Sequence, residues 1–211
     1  MISAPAPGCY ADAMIEPHSR SRGADARRQD IVEAARAIAA AEGWPAVTVR
    51  AVAARIGCSA PAIYQYFRDK DAVLAAMARE GQALMAKAIL DAAEQAGGAG
   101  RRVRAAARAY WDFALANREL YAVIYGLDGV ALGSRDDSHN AVYQAMQGVA
   151  AELIGKRGLN LAPADLADRI TAQLHGFVAM AAGNRFPGGS ERALALMMES
   201  IDDLLRGLGR K

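Results

Sequence analysis

Tyr64, Gln65 and Tyr66 stand in a row directly ahead of Phe67. A short helix that had only to bury one face would have little use for three hydrogen-bonding side chains at its end. Tyrosine hydroxyls donate to phosphate oxygens. A glutamine amide pairs with an adenine edge or bridges to it through water. Pro61 and Ala62, just upstream, are small apolar groups of the kind that touch a thymine methyl. Arg50, Arg55, Arg68 and Lys70 surround them with phosphate-attracting charge. The chemistry this constellation offers is recognition of a nucleic acid. Little else competes with it. Histidine is limited to His18, His139 and His175, and the paired Glu-x-x-His of a di-iron bundle occurs nowhere. No P-loop, Gly-rich dinucleotide turn or HExxH stretch is present. No catalytic residue, metal ligand or cofactor is therefore assigned.

These side chains need short, tightly punctuated helices to hold them. Ile31, Ala34, Ala35, Ile38 and Ala41 recur at helical spacing and predict a first helix over residues 24–42. Gly43 stops it, and Pro45 keeps it from resuming. Thr48 is a plausible N-cap for a second helix over 49–56. Gly57 suits the left-handed turn that follows. Ser59 is placed to cap a third helix, with Pro61 in the first turn, where its missing N–H does no harm. Val52, Ala53 and Ile56 face inward on one helix of this pair, Ile63 and Phe67 on the other. Small Ala53 at the crossing and Gly57 at the turn match a helix-turn-helix. In that motif the second helix enters the major groove. The plainer reading is a pair of packed helices with tyrosines at the rim and arginines in solvent.

Composition agrees with an all-helical chain. Hydrophobic residues make up 53 % of the 211, enough for a sizeable core, and runs of alternating β-branched residues are missing. The net charge is only +2. Yet Arg20, Arg22, Arg27, Arg28, Arg36, Arg50, Arg55, Arg68 and Lys70 outnumber the acids between them, whereas residues 71–211 are balanced. A local basic surplus attracts polyanions. Cys9 and Cys58 form neither a zinc spacing nor a disulfide framework, so a reducing, cytoplasmic setting is the simplest reading. Cys58, beside the third helix, is a buried thiol or a redox sensor. No stretch is long and apolar enough to span a bilayer. Residues 1–23, rich in Pro, Gly, Ser and Ala, read as a disordered tail, within which Met14 is an alternative start.

Beyond Asp69, a cap, longer helices follow. They are predicted over residues 70–95, 103–116, 118–125, 136–157, 164–182 and 191–208, with "GGAG" (97–100), "GLDGVALGS" and "GNRFPGGS" as breaks. The total is about nine helices. The organisation expected is a tail (1–23), a three-helix DNA-binding domain (24–70) and a larger bundle (71–211).

The stretch "AARAIAAAEGWPAVTVRAVAARIGCSAPAIYQYFRDKDAVLAAM", Ala34 to Met77, resembles the N-terminal domain of the tetracycline-repressor (TetR) family of transcription regulators. Gly43, Thr48, Val49, Ile56, Gly57, Ile63, Tyr64, Phe67, Lys70 and Leu74 carry the match, above all the Y-x-x-F-x-x-K run. The resemblance implies an all-helical homodimeric repressor released from its DNA operator by a small molecule. It implies backbone-phosphate contacts for Tyr64 and Lys70. Thr48 and Arg50 then start the second helix near phosphates or bases, and Ser59, Pro61, Ala62, Gln65 and Tyr66 fall on the recognition helix. Pro61 and Ala62 offer no hydrogen bonds, so base readout would rest chiefly on Gln65. The alternative is a helical-bundle small-molecule binder or enzyme without DNA binding.

In the larger bundle, "AYWDF" and "LYAVIY" concentrate aromatics. Tyr110, Trp111, Phe113, Tyr121, Tyr125 and Tyr143 are candidates to line a cavity for a largely apolar ligand, although such stripes are more often core. "LHGFVAM" is similar to a His-Gly pair in one branch of TetR C-terminal domains, with Thr171 and Ala172 where a tryptophan is expected. His175 is thus a candidate ligand or pH sensor, or a satisfied interface residue. The last helix is apolar over a wide arc. Leu174, Phe177, Val178, Leu194, Met197, Met198, Ile201 and Leu205 are therefore expected at a dimer interface.

Overall fold

The structure, a computed structural model, describes residues 17–127 and 141–208, with side chains from residue 23 onward. Expectations for residues 1–16, for His139 and for most of the "GLDGVALGS" break lie outside the described residues. Within them the chain is helical throughout. The helices are α1 (Pro17–Glu42), α2 (Val49–Arg55), α3 (Ala60–Tyr64), α4 (Lys70–Gln95), α5 (Ala99–Ala116), α6 (Arg118–Tyr125), α7 (Ala141–Arg157), α8 (Pro163–Ala182) and α9 (Gly189–Gly207). A single 3-10 turn, Trp44–Ala46, joins α1 to α2. Among the described residues no helix is long and apolar enough to cross a membrane.

Two boundaries differ from the periodicity. α1 begins at Pro17, not at residue 24, because "HSRSRGAD" carries no apolar stripe to announce a helix. α5 begins at Ala99, inside the "GGAG" stretch. Gly97 and Gly98 are left to turn the chain, Gly98 at φ +83°, and Gly100 falls inside the helix. Elsewhere local signals act as read. The Asp69 carboxylate accepts from the Ala72 N–H at 2.7 Å and starts α4.

α4 is the spine. Val73, Met77, Gly81, Met85, Ile89 and Ala93 are buried and recur every fourth residue, the ridge that helices use to pack. Leu84, off this ridge, stands 44 % exposed. α4 packs on α5, α6 and α7, and its first turns meet α1. Its crossing with α6 is close: a Cβ on Gly81 would lie 3.1 Å from Ile124 Cδ1 and 3.3 Å from Leu120 Cβ. α8 and α9 lie against α5, and α7 against α8. α9 is fastened by an Arg104–Asp202 ion pair to α5, and by Arg157 of α7 donating to the Leu205 carbonyl at 2.6 Å.

Candidate nucleic-acid interface

The α2–α3 unit is built by its turns. Thr48 Oγ1 accepts from the Ala51 N–H at 3.1 Å and opens α2. At the other end Gly57 takes φ +68°. There Cys58 N–H reaches the Ala53 carbonyl at 2.9 Å and Gly57 N–H the Ala54 carbonyl at 3.3 Å, the two bonds of a left-handed helix stop. α3 is only five residues long. Ser59 occupies its cap position without making a side-chain capping bond. The chain then tightens, Tyr66 and Phe67 N–H both bonding the Ile63 carbonyl at 2.9 and 3.0 Å.

Burial divides this unit into two faces. Val52, Ala53, Ile63 and Phe67 are buried, and Ile56 half-buried, as the spacing predicted. Thr48, Arg50, Ser59, Pro61, Tyr64 and Gln65 are exposed; Ala62, Tyr66 and Lys70 are half-buried. Tyr64 is 55 % exposed, high for a large ring. Lys70 and Thr48 flank one shallow depression floored by Val47, Val52, Ile63 and Val73. The first turns of α2 and α4, each with unpaired backbone N–H groups, therefore open on the same side. Arg50, Arg55 and Arg68 stand in solvent; Arg68 touches Asp69 at 2.9 Å, a pair too exposed to neutralise it firmly. Cys58 is half-buried and free.

One anchor was not legible in the sequence. Arg28 Nη1 of α1 donates to the Tyr66 carbonyl at 2.6 Å, and its guanidinium lies 4.5 Å from the centre of the Phe67 ring. Gln29 beside it donates to Glu80 of α4 at 3.2 Å. α1 thereby holds the end of the recognition segment. These contacts link residues dozens of positions apart, and no local pattern announces them. Two turns further along α1, Arg36 Nε meets Glu119 Oε1 at 2.9 Å and Arg36 Nη2 meets Asn117 Oδ1 at 2.8 Å, both at the start of α6.

In the bundle the expected pocket residues separate. Tyr110, Trp111, Phe113 and Tyr121 are buried; Tyr125, Tyr143 and His175 are half-buried. Tyr110, Tyr121, Tyr125 and His175 form one hydrogen-bonded cluster. Tyr110 donates to Tyr125 at 3.0 Å. With that proton committed, Tyr110 accepts from Tyr121, also at 3.0 Å. Tyr121 then has no proton left, so its 2.6 Å contact with His175 Nδ1 requires Nδ1–H as the donor. Burial first, then the neighbouring Tyr125 and Tyr121, hold the Tyr110 hydroxyl well above its ordinary pKa. Burial also raises that of Tyr121.

Beside this cluster lies a half-open cleft of about 370 Å³. α5 contributes Ala114, α6 Arg118, Tyr121 and Ala122, and α8 Val178, Ala179, Ala182 and Gly183, with Leu127 beyond α6 completing it. Of the aromatic candidates Tyr121 alone reaches it. Trp111, Phe113 and Tyr143 do not line it, and neither do Tyr110, Tyr125 and His175. The aromatic side chains fill space; small residues, which a search for aromatics passes over, leave it.

The interface candidates also divide. Leu174, Val178, Met197, Ile201 and Leu205 are buried within this chain's own core, so they have no surface to offer a second copy. The apolar arc of α9 is wide because two sides of it meet the chain itself. Phe177, Leu194 and Met198 remain half-exposed, and Met180 is 48 % exposed. Phe177 stacks on Phe186 with ring centres 5.7 Å apart.

Comparison with known proteins agrees with this architecture. Residues 31–77 match the family model of bacterial regulatory proteins of the tetR family, and residues 103–204 that of tetracyclin repressor-like C-terminal domains. An HTH-type transcriptional repressor of Mycobacterium tuberculosis is 46 % identical over 61 residues, 29 % of this chain and 33 % of that protein. The match thus spans about a third of that relative's length. Among solved structures, a Rhodococcus protein of unknown function superposes with a TM-score of 0.75 at 28 % identity, covering 87 % of this chain and 95 % of the other. A TetR-family transcriptional regulator from Pectobacterium atrosepticum gives 0.69 at 23 % identity over 90 % and 97 %, which bears on the fold alone. Helix-turn-helix geometry, the Y-x-x-F-x-x-K run and two family models that together span most of the chain make this protein a member of the TetR family.

Proposed function

We propose that this protein is a DNA-binding transcriptional repressor that acts as a homodimer and leaves its operator when a small molecule enters the helical bundle. Residues 24–70 read DNA, and residues 71–211 bind ligand and partner. The observation that carries the reading is the exposure of Tyr64 and Gln65 on a segment whose other face is sealed by Ile63 and Phe67. Among the described residues no hydrogen bond or ion pair engages those two side chains. Tyr64, Lys70, Thr48 and Arg50 suit phosphates and fix register, which carries no sequence information by itself. Gln65 is left as the principal hydrogen-bonding reader of bases, with Pro61, Ala62, Ser59 and Tyr66 shaping the approach. The partner copy packs on the outer apolar side of α8 and α9, where Phe177, Met180, Leu194 and Met198 keep exposed surface.

Release follows a contiguous set of contacts. The cleft borders α6 through Arg118, Tyr121 and Ala122. α6 grips α1 through Arg36 and crosses α4 at Gly81. α1 holds the Tyr66 carbonyl through Arg28. Arg28 and Arg36 are eight positions apart on one helix, about 12 Å along its axis. A ligand that prefers another placement of α6 would tilt α1 and α4 together and so move the recognition segment. It can do this only by its difference in affinity for the two placements.

The test is selection of bound fragments from a genomic DNA pool with purified protein. Recovery of a shared two-fold-related sequence supports the reading, and Gln65→Ala should then change the selected sequence more than the affinity. Recovery of no common sequence would defeat it.

A further inference from the structure

We propose that the cleft between α6 and α8 takes an amphipathic carboxylate, an apolar body with one anionic end, and that Arg118 is its counter-ion. The inference rests on the reading of the bundle as the ligand-binding half and names the class of ligand.

The volume comes first. About 370 Å³ lies in the range of sites for small organic molecules. Ala114, Ala122, Leu127 and Val178 give it apolar walls, which favour a hydrocarbon or ring body. The polar groups then decide what the ligand carries at its end. Among the described residues of the lining, Arg118 is the sole cation. The acids near it in sequence are already engaged, Glu119 by Arg36 at 2.9 Å and Asp112 by Arg108 at 2.8 Å. Among the described residues no carboxylate is paired with Arg118. Tyr121 is the other polar side chain there, and its proton is directed to Tyr110, away from the cleft. That hydroxyl has no second proton to donate to a ligand. A ligand head in this cleft therefore meets one strong donor, a planar guanidinium, whose fork matches a carboxylate through two parallel bonds. A cationic head would be opposed by the full charge of Arg118, which the partial negative charge at the end of α8 (Ala179, Ala182, Gly183) and the Tyr121 ring offset only in part. A neutral alcohol would keep the apolar contacts and lose the charge.

The test uses full-length protein and three probes of equal chain length, each below its micelle concentration: decanoate, decanol and decyltrimethylammonium. Binding is read by calorimetry, with displacement of bound operator DNA measured in parallel. Decanoate should bind one site per chain, more tightly than decanol, and decyltrimethylammonium should not bind. Arg118→Gln should weaken decanoate roughly tenfold while leaving decanol unchanged, and Arg118→Lys should restore most of the loss. Ala179→Trp, which fills the cleft from an exposed position, should abolish binding of both. Equal affinity for decanoate and decanol, indifference to Arg118→Gln, persistence of binding in Ala179→Trp, or no binding of decanoate would each overturn the proposal. Decanoate that binds through Arg118 but leaves DNA in place keeps the carboxylate site and removes the release mechanism. Release by decanol as readily as by decanoate does the reverse.

Discussion

Arg36 is where the account of coupling is most exposed to test. Its guanidinium spans two acceptors on α6, Glu119 at 2.9 Å and Asn117 at 2.8 Å. The Arg36 side chain is 33 % exposed and that of Glu119 only 13 %. Replacing arginine with glutamine leaves the Glu119 carboxylate nearly buried and without its cation. A pair this sheltered should be worth more than an open surface pair, which contributes about 0–1 kcal/mol, and less than a fully buried one, whose disruption costs about 3–5 kcal/mol. The expected loss is therefore about 1–2 kcal/mol, or roughly 2–8 °C in Tm for a chain of this size. In a double-mutant cycle with Glu119→Gln, the two losses should fall short of additivity by about 1 kcal/mol. Function supplies the sharper readout. Arg36→Gln should still bind operator DNA, because the α2–α3 unit and the Arg28 anchor are untouched. It should respond less to a ligand that releases the parent protein, because α6 has lost its grip on α1. Additive losses in the cycle would show that the contact carries no coupling energy. Unaltered release in Arg36→Gln would show that the signal travels elsewhere, with α4 as the remaining route.

Three further outcomes follow from the packing. Gly81→Val would drive side-chain atoms into Leu120 and Ile124 of α6 and should cost about 1–3 kcal/mol, with Ile124→Ala giving part of it back in denaturant unfolding. Gly57→Ala meets open space but must hold φ +68°, so it should lose about 1–2 kcal/mol of stability from backbone strain alone, and DNA affinity with it. The buried hydroxyls of Tyr110 and Tyr121 stay protonated in the folded chain while their unfolded counterparts ionise near their usual value of about 10. Above that pH the unfolded state binds fewer protons than the folded one, so stability should fall as pH rises further, by up to about 2.7 kcal/mol per pH unit for the two groups. The Tyr110→Phe, Tyr121→Phe protein should show a shallower fall, and an identical slope would contradict the burial argument.

The helix-turn-helix was readable because its signals are local. Thr48 as cap, Gly57 as left-handed stop, Pro61 in a first turn and the inward positions Val52, Ala53, Ile63 and Phe67 each declare themselves within a few residues. The bundle was readable as a set of helices and much less as a set of surfaces. Periodicity says that Leu174, Met197 or Ile201 must be covered, and cannot say whether the cover is another helix of the same chain or a second copy. It proved to be the chain itself. The aromatics marked where bulk would go, and bulk filled the core around Tyr110, whereas the cleft opened where Ala114, Ala122 and Ala179 leave room. Arg28 and Arg36 looked like surface charge because their partners lie 38 and 83 positions away. The helix that starts inside "GGAG", where a break was expected, has a similar cause: Gly100 is tolerated inside α5 once tertiary contacts stabilise that helix.

The central claim is that the exposed face of α2, α3 and the start of α4 grips DNA phosphates. Its most direct test is the dependence of operator affinity on salt for the parent chain and for Tyr64→Phe, Lys70→Ala. The parent should lose affinity steeply as salt rises, and the double variant should bind every sequence more weakly, its logarithmic slope shallower by about 1 for the lost lysine–phosphate contact. Equal affinity and equal slope in the two proteins would place the DNA, if any binds, on some other surface.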